Sequence, residues 1–325
     1  MKFPLLFIIV TLALIGCGKR EESPKDAKSK IAAQTVSIPQ NLIDEFSGEK
    51  SLKEIKTLTS FGPRPPESEG YRKSLAYLEK KLGALGWKTH QQKFSAVTPV
   101  GQVKFTNLIA RFSPEKEVDW NSSVPFILGS HLDTKRFHSI TFLGVNDSGS
   151  STGVLIEMAR ALSQAPEAAG QIELVFFDGE EAFLTNIDPK HDGLYGSRYY
   201  AAELNRRTSQ PEAGIVLDLV GDMRVPLLIG LDSTKSLRTQ AINAAKKLKF
   251  TPKNIQMAPS PIIDDHLPLL TRGNLATLHL IGDFNKMPYW HTKDDTLEQI
   301  SSEALAQAGR LTMRILVQLT SESGR

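Results

Sequence analysis

The sequence predicts an α/β fold of three layers (α/β/α), in which helices cover both faces of a central mixed, mostly parallel sheet. Predicted strands and helices alternate along the chain beyond residue 124. One predicted strand, residues 124–129, is a continuous apolar run, which is typical of a strand buried on both faces, and residues 172–177 are predicted as another buried strand. Hydrophobic residues make up 40% and charged residues 23% of the 325 residues, which is ordinary for a globular protein.

Periodicity and turn residues define the individual elements. Apolar residues recur at spacings of three and four in the predicted helices, and Gly86 ends the clearest of them. The predicted helices cover residues 51–58, 67–85, 152–163, 197–204, 236–248 and 302–319. The predicted strands, which are alternating or continuously apolar, cover residues 87–94, 104–112, 124–129, 172–177, 213–220, 225–229 and 276–281. No internal repeat interrupts this order.

The N-terminus has the pattern of an export signal. Met1 and Lys2 precede an apolar run over residues 3–15, which is shorter than the roughly 20 residues of a membrane span but suits a secretory signal. Residues 14–17 read Leu-Ile-Gly-Cys and resemble a bacterial lipobox, which implies a signal peptide over residues 1–16 and a lipid on Cys17. By analogy with that family, Gly18 after the cysteine favours the outer membrane, facing the periplasm. The alternative is a plain secretory signal with an incidental cysteine.

Charge and cysteine content exclude several classes of protein. Residues 17–44 are rich in charge and lack apolar periodicity, which predicts a disordered tether and leaves residues 45–325 as one domain. The formal net charge of 39 − 36 = +3 gives no indication of nucleic-acid binding. Cys17 is the only cysteine, so an intramolecular disulfide and a zinc site with paired cysteines are both excluded.

Acidic residues and histidines follow four of the predicted strands, at the strand ends where parallel sheets gather their sites. They are His131, Asp133, Asp178, Glu180, Glu181, Asp218 and His291, and Asp147 lies just before a predicted helix. Carboxylates and imidazoles without cysteine suit zinc in an open catalytic site.

Most of these positions also have a structural explanation when each is taken alone. Asp147 could cap the following helix. Glu180 and Glu181 could be a solvated pair, and His131 could be a buried core histidine. His266 lies beside two acids between apolar runs and is ambiguous, whereas His279 lies inside a strand and is interpreted as a packing residue.

Longer strings carry a resemblance to a known family. The order His-x-Asp, Asp, Glu-Glu, Asp, His resembles secreted zinc aminopeptidases with two co-catalytic metals. More specific strings resemble the animal-type glutaminyl-peptide cyclotransferases. These strings are FFDGEEAF at 176–183, LYGSR at 194–198, LDLVG at 217–221, DDHLP at 264–268 and WHT at 290–292. The resemblance extends from about residue 45 to the C-terminus.

The resemblance implies roles for individual residues. It implies one zinc ion per chain, held by Asp147, Glu181 and His291, with Glu180 as the general acid/base. Asp218 and Asp264 match a hydrogen-bonded acidic pair beside Glu180. Trp290 matches the aromatic wall of the substrate pocket, and His266 is assigned to substrate binding beside it.

The implied reaction closes an N-terminal glutamine of a peptide or protein into pyroglutamate and releases ammonia. The enzyme is expected to be a monomer that contacts the membrane only through its lipid. Asn186 and Ile263 stand where the family often has Trp and Gln. The resemblance therefore does not define how the pocket walls contact the substrate. The main alternative is a zinc aminopeptidase, with His131 and Asp218 holding a second metal. A third alternative is a non-catalytic, lipid-anchored receptor. Such a protein would be expected to lack some of the metal ligands.

Overall fold

A computed structural model describes residues 36–322. The predicted signal peptide, Cys17 and most of the predicted tether lie outside these residues, so they remain predictions. Within residues 36–322, no helix combines the length and the apolar character that a bilayer span requires.

The described chain contains nine α-helices and eight strands. The helices are α1 (Leu42–Glu45), α2 (Gly48–Thr59), α3 (Glu69–Ala84), α4 (Gly149–Leu162), α5 (Pro166–Ala169), α6 (Tyr195–Leu204), α7 (Lys235–Lys247), α8 (His266–Thr271) and α9 (Ser302–Glu322). The strands are β1 (Trp87–Thr98), β2 (Gly101–Phe112), β3 (Phe126–His131), β4 (Ile172–Phe177), β5 (Ala213–Asp218), β6 (Leu227–Ile229), β7 (Ile255–Met257) and β8 (Thr277–Gly282). Two short 3₁₀ helices, Phe284–Lys286 and Leu297–Gln299, precede α9.

One mixed sheet contains all eight strands in the order β1-β2-β4-β3-β5-β8-β6-β7. The four central strands β4, β3, β5 and β8 are mutually parallel. On one side of these four strands, the β1–β2 hairpin pairs through β2 with β4 in antiparallel orientation. On the other side, β6 pairs with β8 in antiparallel orientation. The predicted α/β fold with a mostly parallel sheet is therefore confirmed.

The central strands are buried on both faces because their side chains alternate between two apolar layers. Leu128 and Leu174 face the larger layer, where α2, α4 and α9 pack. Ile127 and Val175 face the opposite layer, where α6 and α8 pack. Every residue of these four strands is buried, as the sequence predicted for β3 and β4.

The folded part of the chain begins before residue 45. Ile38, Leu42 and Ile43 are buried in the main core, and α1 packs on α9. The backbone N–H of Ile38 also donates to Thr320 Oγ1 at 3.2 Å. The prediction of a tether through residue 44 was therefore wrong for residues 38–44. These three apolar side chains form too short a pattern to show a helical period in the sequence.

Candidate active site

The carboxyl ends of the parallel strands bring the predicted polar residues together. His131 ends β3, Asp218 ends β5, and Glu180 and Glu181 follow β4. Because these strands are parallel neighbours, their ends meet at one edge of the sheet. The side chains surround a cavity of about 390 Å³. Its polar lining includes Lys135, Asp147, Glu180, Glu181, Asp218, Asp264, Trp290 and His291.

Three of these residues converge on one point, as the resemblance implied. His291 Nε2 lies 3.0 Å from Glu181 Oε1 and 3.2 Å from Asp147 Oδ2. The three potential ligand atoms all lie within 4.8 Å of one another, so this group could hold a metal ion. His291 has a φ of 55°, an uncommon conformation for a residue other than glycine.

A second possible ligand group shares Asp147 with the first. His131 Nε2 lies 3.2 Å from Asp147 Oδ1 and 3.2 Å from Asp218 Oδ1. These three atoms are also close enough to hold a metal ion. One carboxylate that belongs to two adjacent groups is the arrangement that a two-metal site requires. The positions named for a possible second metal therefore lie where that hypothesis needs them.

Negative charge accumulates around the cavity without an equal number of cations. Burial raises the pKa of Asp218 to about 7, against the opposing effect of His131. Burial opposes the charged form of His291, but Glu181 and Asp147 raise its pKa to about 10. Buried carboxylates at this density need positive charge nearby. The donor set of carboxylate oxygens and imidazole nitrogens therefore fits a divalent metal ion.

Glu180 occupies the position expected of an acid/base group. Its side chain lines the cavity next to the metal-ligand group. Burial raises the pKa of Glu180 well above its usual value, and the nearby Glu181 and Asp264 carboxylates raise it further. A carboxyl group with a raised pKa can hold a proton and transfer it near neutral pH.

Asp133 holds the glutamate pair in place. Its Oδ1 accepts the backbone N–H of Glu180 at 3.1 Å, and its Oδ2 accepts that of Glu181 at 3.3 Å. Gly179 turns the chain between β4 and this pair with a φ of 71°, and a Cβ there would lie 2.4 Å from the ring of Phe105. The turn and the carboxylate together aim both glutamates at the cavity.

Asp295 and Arg64 hold the loop that carries Asp147. Asp295 accepts the backbone N–H of Asn146 at 2.8 Å and of Asp147 at 3.1 Å. The buried guanidinium of Arg64 donates to three backbone carbonyls of the same loop. These are the carbonyls of Leu132 at 2.9 Å, Leu143 at 2.8 Å and Gly144 at 3.0 Å. A buried cation therefore clamps both ends of the segment between β3 and Asp147.

Asp218 and Asp264 both line the cavity, but each has its own histidine. Asp218 lies 3.2 Å from His131 Nε2, and Asp264 Oδ2 lies 2.8 Å from His279 Nε2. Both carboxylates are within the described chain, and no hydrogen bond joins them there. Both aspartates therefore line the cavity as the resemblance implied, but the hydrogen bond expected between them is replaced by a contact of each with its own histidine.

Trp290 forms a wall of the cavity, where the resemblance placed it. Its ring stacks on His291 with centroids 4.2 Å apart, and 37% of the residue is exposed. Its Nε1 donates to Asp147 Oδ2 at 3.0 Å, so the wall is tied to a potential metal ligand. Asn186 and Ile263, the two departures from the family pattern, also line the cavity.

His266 does not reach the substrate cavity. It is fully buried, it is absent from the cavity lining, and its ring stacks on His279. The assignment of His266 to substrate binding was therefore wrong as a direct contact. Its position at the start of α8 turns the ring into the protein, behind Asp264.

The residues that orient the site had no assigned role in the sequence-based prediction, although Asp133 was named among the acidic residues at the strand ends. Asp133 and Asp295 stood beside predicted ligands in the strings Ser-His-Leu-Asp and Thr-Lys-Asp-Asp, which was the available signal. Nothing in the sequence marked Arg64. His279, interpreted as packing, contacts the carboxylate of Asp264.

Comparison with known proteins places this arrangement in a family. The model of peptidase family M28 matches residues 107–316. The glutaminyl-peptide cyclotransferase of Dictyostelium discoideum is 29% identical, over 91% of this chain and 93% of that protein.

Solved structures give the same picture. The Porphyromonas gingivalis glutaminyl cyclase superposes with a TM-score of 0.75 at 26% identity, covering 85% of this chain and 99% of that one. A Zn-dependent exopeptidase from Parabacteroides distasonis superposes with a TM-score of 0.74 at 26% identity, covering 83% of this chain and 98% of that one. The fold therefore occurs in proteins of both names.

Proposed function

We propose, from the premise that this chain belongs to peptidase family M28, that it is a glutaminyl-peptide cyclotransferase. In the proposed reaction the N-terminal glutamine of a peptide or protein becomes pyroglutamate and ammonia is released. The γ-acyl group passes from the amide nitrogen to the α-amine of the same residue, so the reaction is an aminoacyl transfer. The substrate supplies its own nucleophile.

The observation that carries the proposal is that Glu180 lines the same cavity as the ligand group and an aromatic wall. The cavity of about 390 Å³ has Asp147, Glu181 and His291 together on its lining, with Trp290 stacked on His291. That volume is at the small end of ligand pockets and suits one side chain rather than a long peptide. An N-terminal glutamine offers the amine and the carbonyl carbon within one residue.

Zinc is the proposed cofactor, and Asp147, Glu181 and His291 are the residues that would hold it. A bound zinc ion would act as a Lewis acid toward the carboxamide oxygen. The tetrahedral preference of zinc leaves a fourth position open when three protein ligands bind it. We propose one zinc ion per chain.

Proton transfer falls to Glu180. The α-amine forms a bond to the γ-carboxamide carbon (Cδ) and loses a proton, and the bond from that carbon to the amide nitrogen then breaks. Glu180 can accept the proton from the amine and return it to the leaving nitrogen, which departs as ammonia. Asp218 and Asp264 can accept hydrogen bonds from the N–H groups and hold them in reach. Trp290 restricts the side chain to a bent conformation against its ring.

An aminopeptidase is the second candidate, because Asp147 belongs to two complete ligand groups. The Parabacteroides distasonis protein, named a Zn-dependent exopeptidase, has the same fold. Against this candidate, the Dictyostelium discoideum relative that aligns with 91% of this chain is named a glutaminyl-peptide cyclotransferase.

One pair of assays separates the two candidates. The zinc-loaded full chain is incubated with a peptide that begins with glutamine and, separately, with a leucine anilide. We expect ammonia and a mass loss of one ammonia from the first substrate, and no free leucine from the second. Release of free amino acid from either substrate, with two zinc ions per chain, would establish the aminopeptidase instead.

We further propose that the enzyme is lipid-anchored through Cys17, facing the periplasm from the outer membrane. The support is the sequence pattern at residues 14–18. We also propose that it is a monomer, the state that the family resemblance implies. Metabolic labelling with a fatty-acid analogue, compared between the parent and Cys17→Ala, tests the anchor. Equal labelling of the two proteins would refute it.

A further inference from the structure

Two stacked histidines lie directly behind the Asp264 carboxylate. His279 comes from β8, and His266 is the first residue of α8. Their ring centroids are 4.1 Å apart, with an interplanar angle of 13°. Both side chains are fully buried. A buried pair of titratable rings at this separation needs a physical explanation, because burying two apolar side chains would cost less free energy.

Each ring has one carboxylate at ion-pair distance. His279 Nε2 lies 2.8 Å from Asp264 Oδ2, and His266 Nε2 lies 3.1 Å from Asp232 Oδ1. Neither contact meets hydrogen-bond geometry, and within residues 36–322 none of the four ring nitrogens has a hydrogen-bond partner. The two carboxylates are therefore the charged groups that can set the orientation and the tautomer of the rings.

The stack has two ends that differ in their surroundings. Asp264 lines the substrate cavity. The side chain of Asp232 is 17% exposed and lies outside that cavity. A continuous series of contacts thus runs from the cavity through Asp264, His279 and His266 to Asp232.

Electrostatics assigns the charge within the series. Two parallel rings 4.1 Å apart repel each other strongly if both are protonated. Burial lowers the pKa of His266, and His279 lowers it further. Burial opposes the charged form of Asp264, but His279 and His266 outweigh this effect and lower its pKa. Burial and His279 therefore both favour a neutral His266, which lies between His279 and the Asp232 carboxylate.

A metal ion is a weaker explanation of the same cluster. Ligand atoms of Asp264, His266 and His279 lie within 4.8 Å of one another. However, the lone pairs of two nearly parallel rings lie in nearly parallel planes and do not converge on one point. Each Nε2 already lies within 3.1 Å of a carboxylate oxygen. Two linked Asp–His pairs fit these orientations better than one tetrahedral site does.

We propose that Asp232 is a positioning residue that acts through His266 and His279 to hold the Asp264 carboxylate at the cavity. This rests on the proposed function, in which Asp264 accepts hydrogen bonds from the reacting nitrogen groups. Asp232 fixes the neutral His266 ring, and that ring supports one face of His279. His279 in turn fixes Asp264. A loss of Asp232 allows the stack to rotate and moves the carboxylate away from the substrate.

The kinetic test compares two substitutions of Asp232 in the zinc-loaded full chain. Asp232→Asn keeps an oxygen acceptor for His266, whereas Asp232→Ala removes it. We expect kcat with a glutaminyl peptide to fall about tenfold in Asp232→Ala, which is the lower range for residues that orient a site. KM and zinc content should not change, and Asp232→Asn should keep kcat within about twofold of the parent.

Asp188→Ala is the matched control, because Asp188 pairs with His191 at 2.9 Å on the exposed surface. It should leave kcat unchanged. A parent-like kcat in Asp232→Ala would overturn the proposal. Equal losses in both Asp232 variants, together with a lower melting temperature, would also overturn it, since they would indicate a structural role for the carboxylate.

A second measurement is independent of activity. In protein labelled with ¹⁵N-histidine, His266 should give the signals of a neutral ring. His266→Gln and His279→Gln assign the signals. Asp232→Ala should change the His266 signal and Asp188→Ala should not. If the parent cyclises no peptide, the proposed function fails while this spectrum still tests the arrangement. A zinc ion lost specifically with His266→Gln would replace the proposal with a metal site.

Discussion

Strand β4 carries a buried glutamate near its start, and two more buried glutamates follow its end. The surroundings shift the pKa of the first and of Glu180 in opposite directions. Glu173, near the start, contacts Arg111 Nε at 2.6 Å and Arg207 Nη1 at 2.9 Å. Burial opposes its charged form, but the two arginines outweigh burial and lower its pKa. Glu180, beyond the end of the strand, has a pKa raised by burial and by neighbouring carboxylates.

The difference separates a structural charge from a functional one. Around Glu173 the chain supplies its own cations, and the hydroxyl of Tyr200 completes the hydrogen bonding. Around Glu180 the chain gathers carboxylates and supplies few cations, which favours binding of a positive ion and retention of a transferable proton. A buried acid with an incomplete set of partners is therefore a better indicator of function than burial alone.

The largest expected effect is on catalysis at the end of the strand. Glu180→Gln should lower kcat by about 10²–10⁴-fold, because the amide cannot transfer a proton. Zinc content and the folded structure should be retained, because the substitution preserves size and removes a repulsive charge. Steady-state kinetics and metal analysis measure both quantities. A near-native rate in this variant would show that Glu180 is not the acid/base group.

The next largest effect is on stability at the start of the strand. Glu173→Gln should lower the free energy of unfolding by about 3–5 kcal/mol, because two buried arginines lose their counter-charge. The kcat of the folded fraction should match the parent. Urea denaturation measures the change, with Glu203→Gln as control. Glu203 pairs with the exposed Arg206, so the control should cost only about 0–1 kcal/mol. A small effect of Glu173→Gln would mean that the balanced cluster is not structural.

Zinc removal tests whether a bound cation balances the excess negative charge around the cavity. Zinc at about 1,000 times its Kd should stabilise the parent by about 4 kcal/mol relative to chelated protein. The same increment should appear in Glu173→Gln, because the two regions are about 13 Å or more apart along β4 and independent sites add. Thermal unfolding with and without a chelator measures it. Equal melting temperatures in the two conditions would argue against a bound metal.

The smallest expected effect is on zinc affinity. It is tested by substituting one arginine in each of the two buried arginine clusters. Arg64→Met should lower zinc affinity about 10–100-fold, because the loop that carries Asp147 loses three carbonyl contacts. Arg111→Met should destabilise the fold without changing zinc affinity. Competition with a chelator measures the affinity. If both substitutions weakened zinc binding equally, the loop clamp would have no specific role.

Long elements with a strong pattern were the easiest to predict. Strand β4 was predicted with both of its ends, and α3 begins two residues later than predicted because Ser68 caps it by accepting the N–H of Tyr71. The short elements α5, β7 and α8 were not predicted. They span three to six residues, and α8 contains Pro268, so no period could develop.

Some of the site residues could be predicted from the sequence, whereas the contacts between them could not. Asp147, Glu181, Asp218 and His291 were predictable because residues after parallel strands share one edge of the sheet. Which of them share contacts could not be predicted. The paired glutamates depend on the Asp133 carboxylate, which accepts their backbone N–H groups, and Asp264 contacts His279, which comes from a strand interior.

By itself, the sequence determined the fold class, the edge of the sheet where the site lies and the chemical types of its ligands, because strand period and residue order are local properties. The tertiary structure alone decided how buried charges are balanced. Arg64 reaches Leu143 across 79 residues, and Asp232 faces His266 from another part of the chain. Electrostatic energy depends on distance in space and on burial, and neither can be read from residue order.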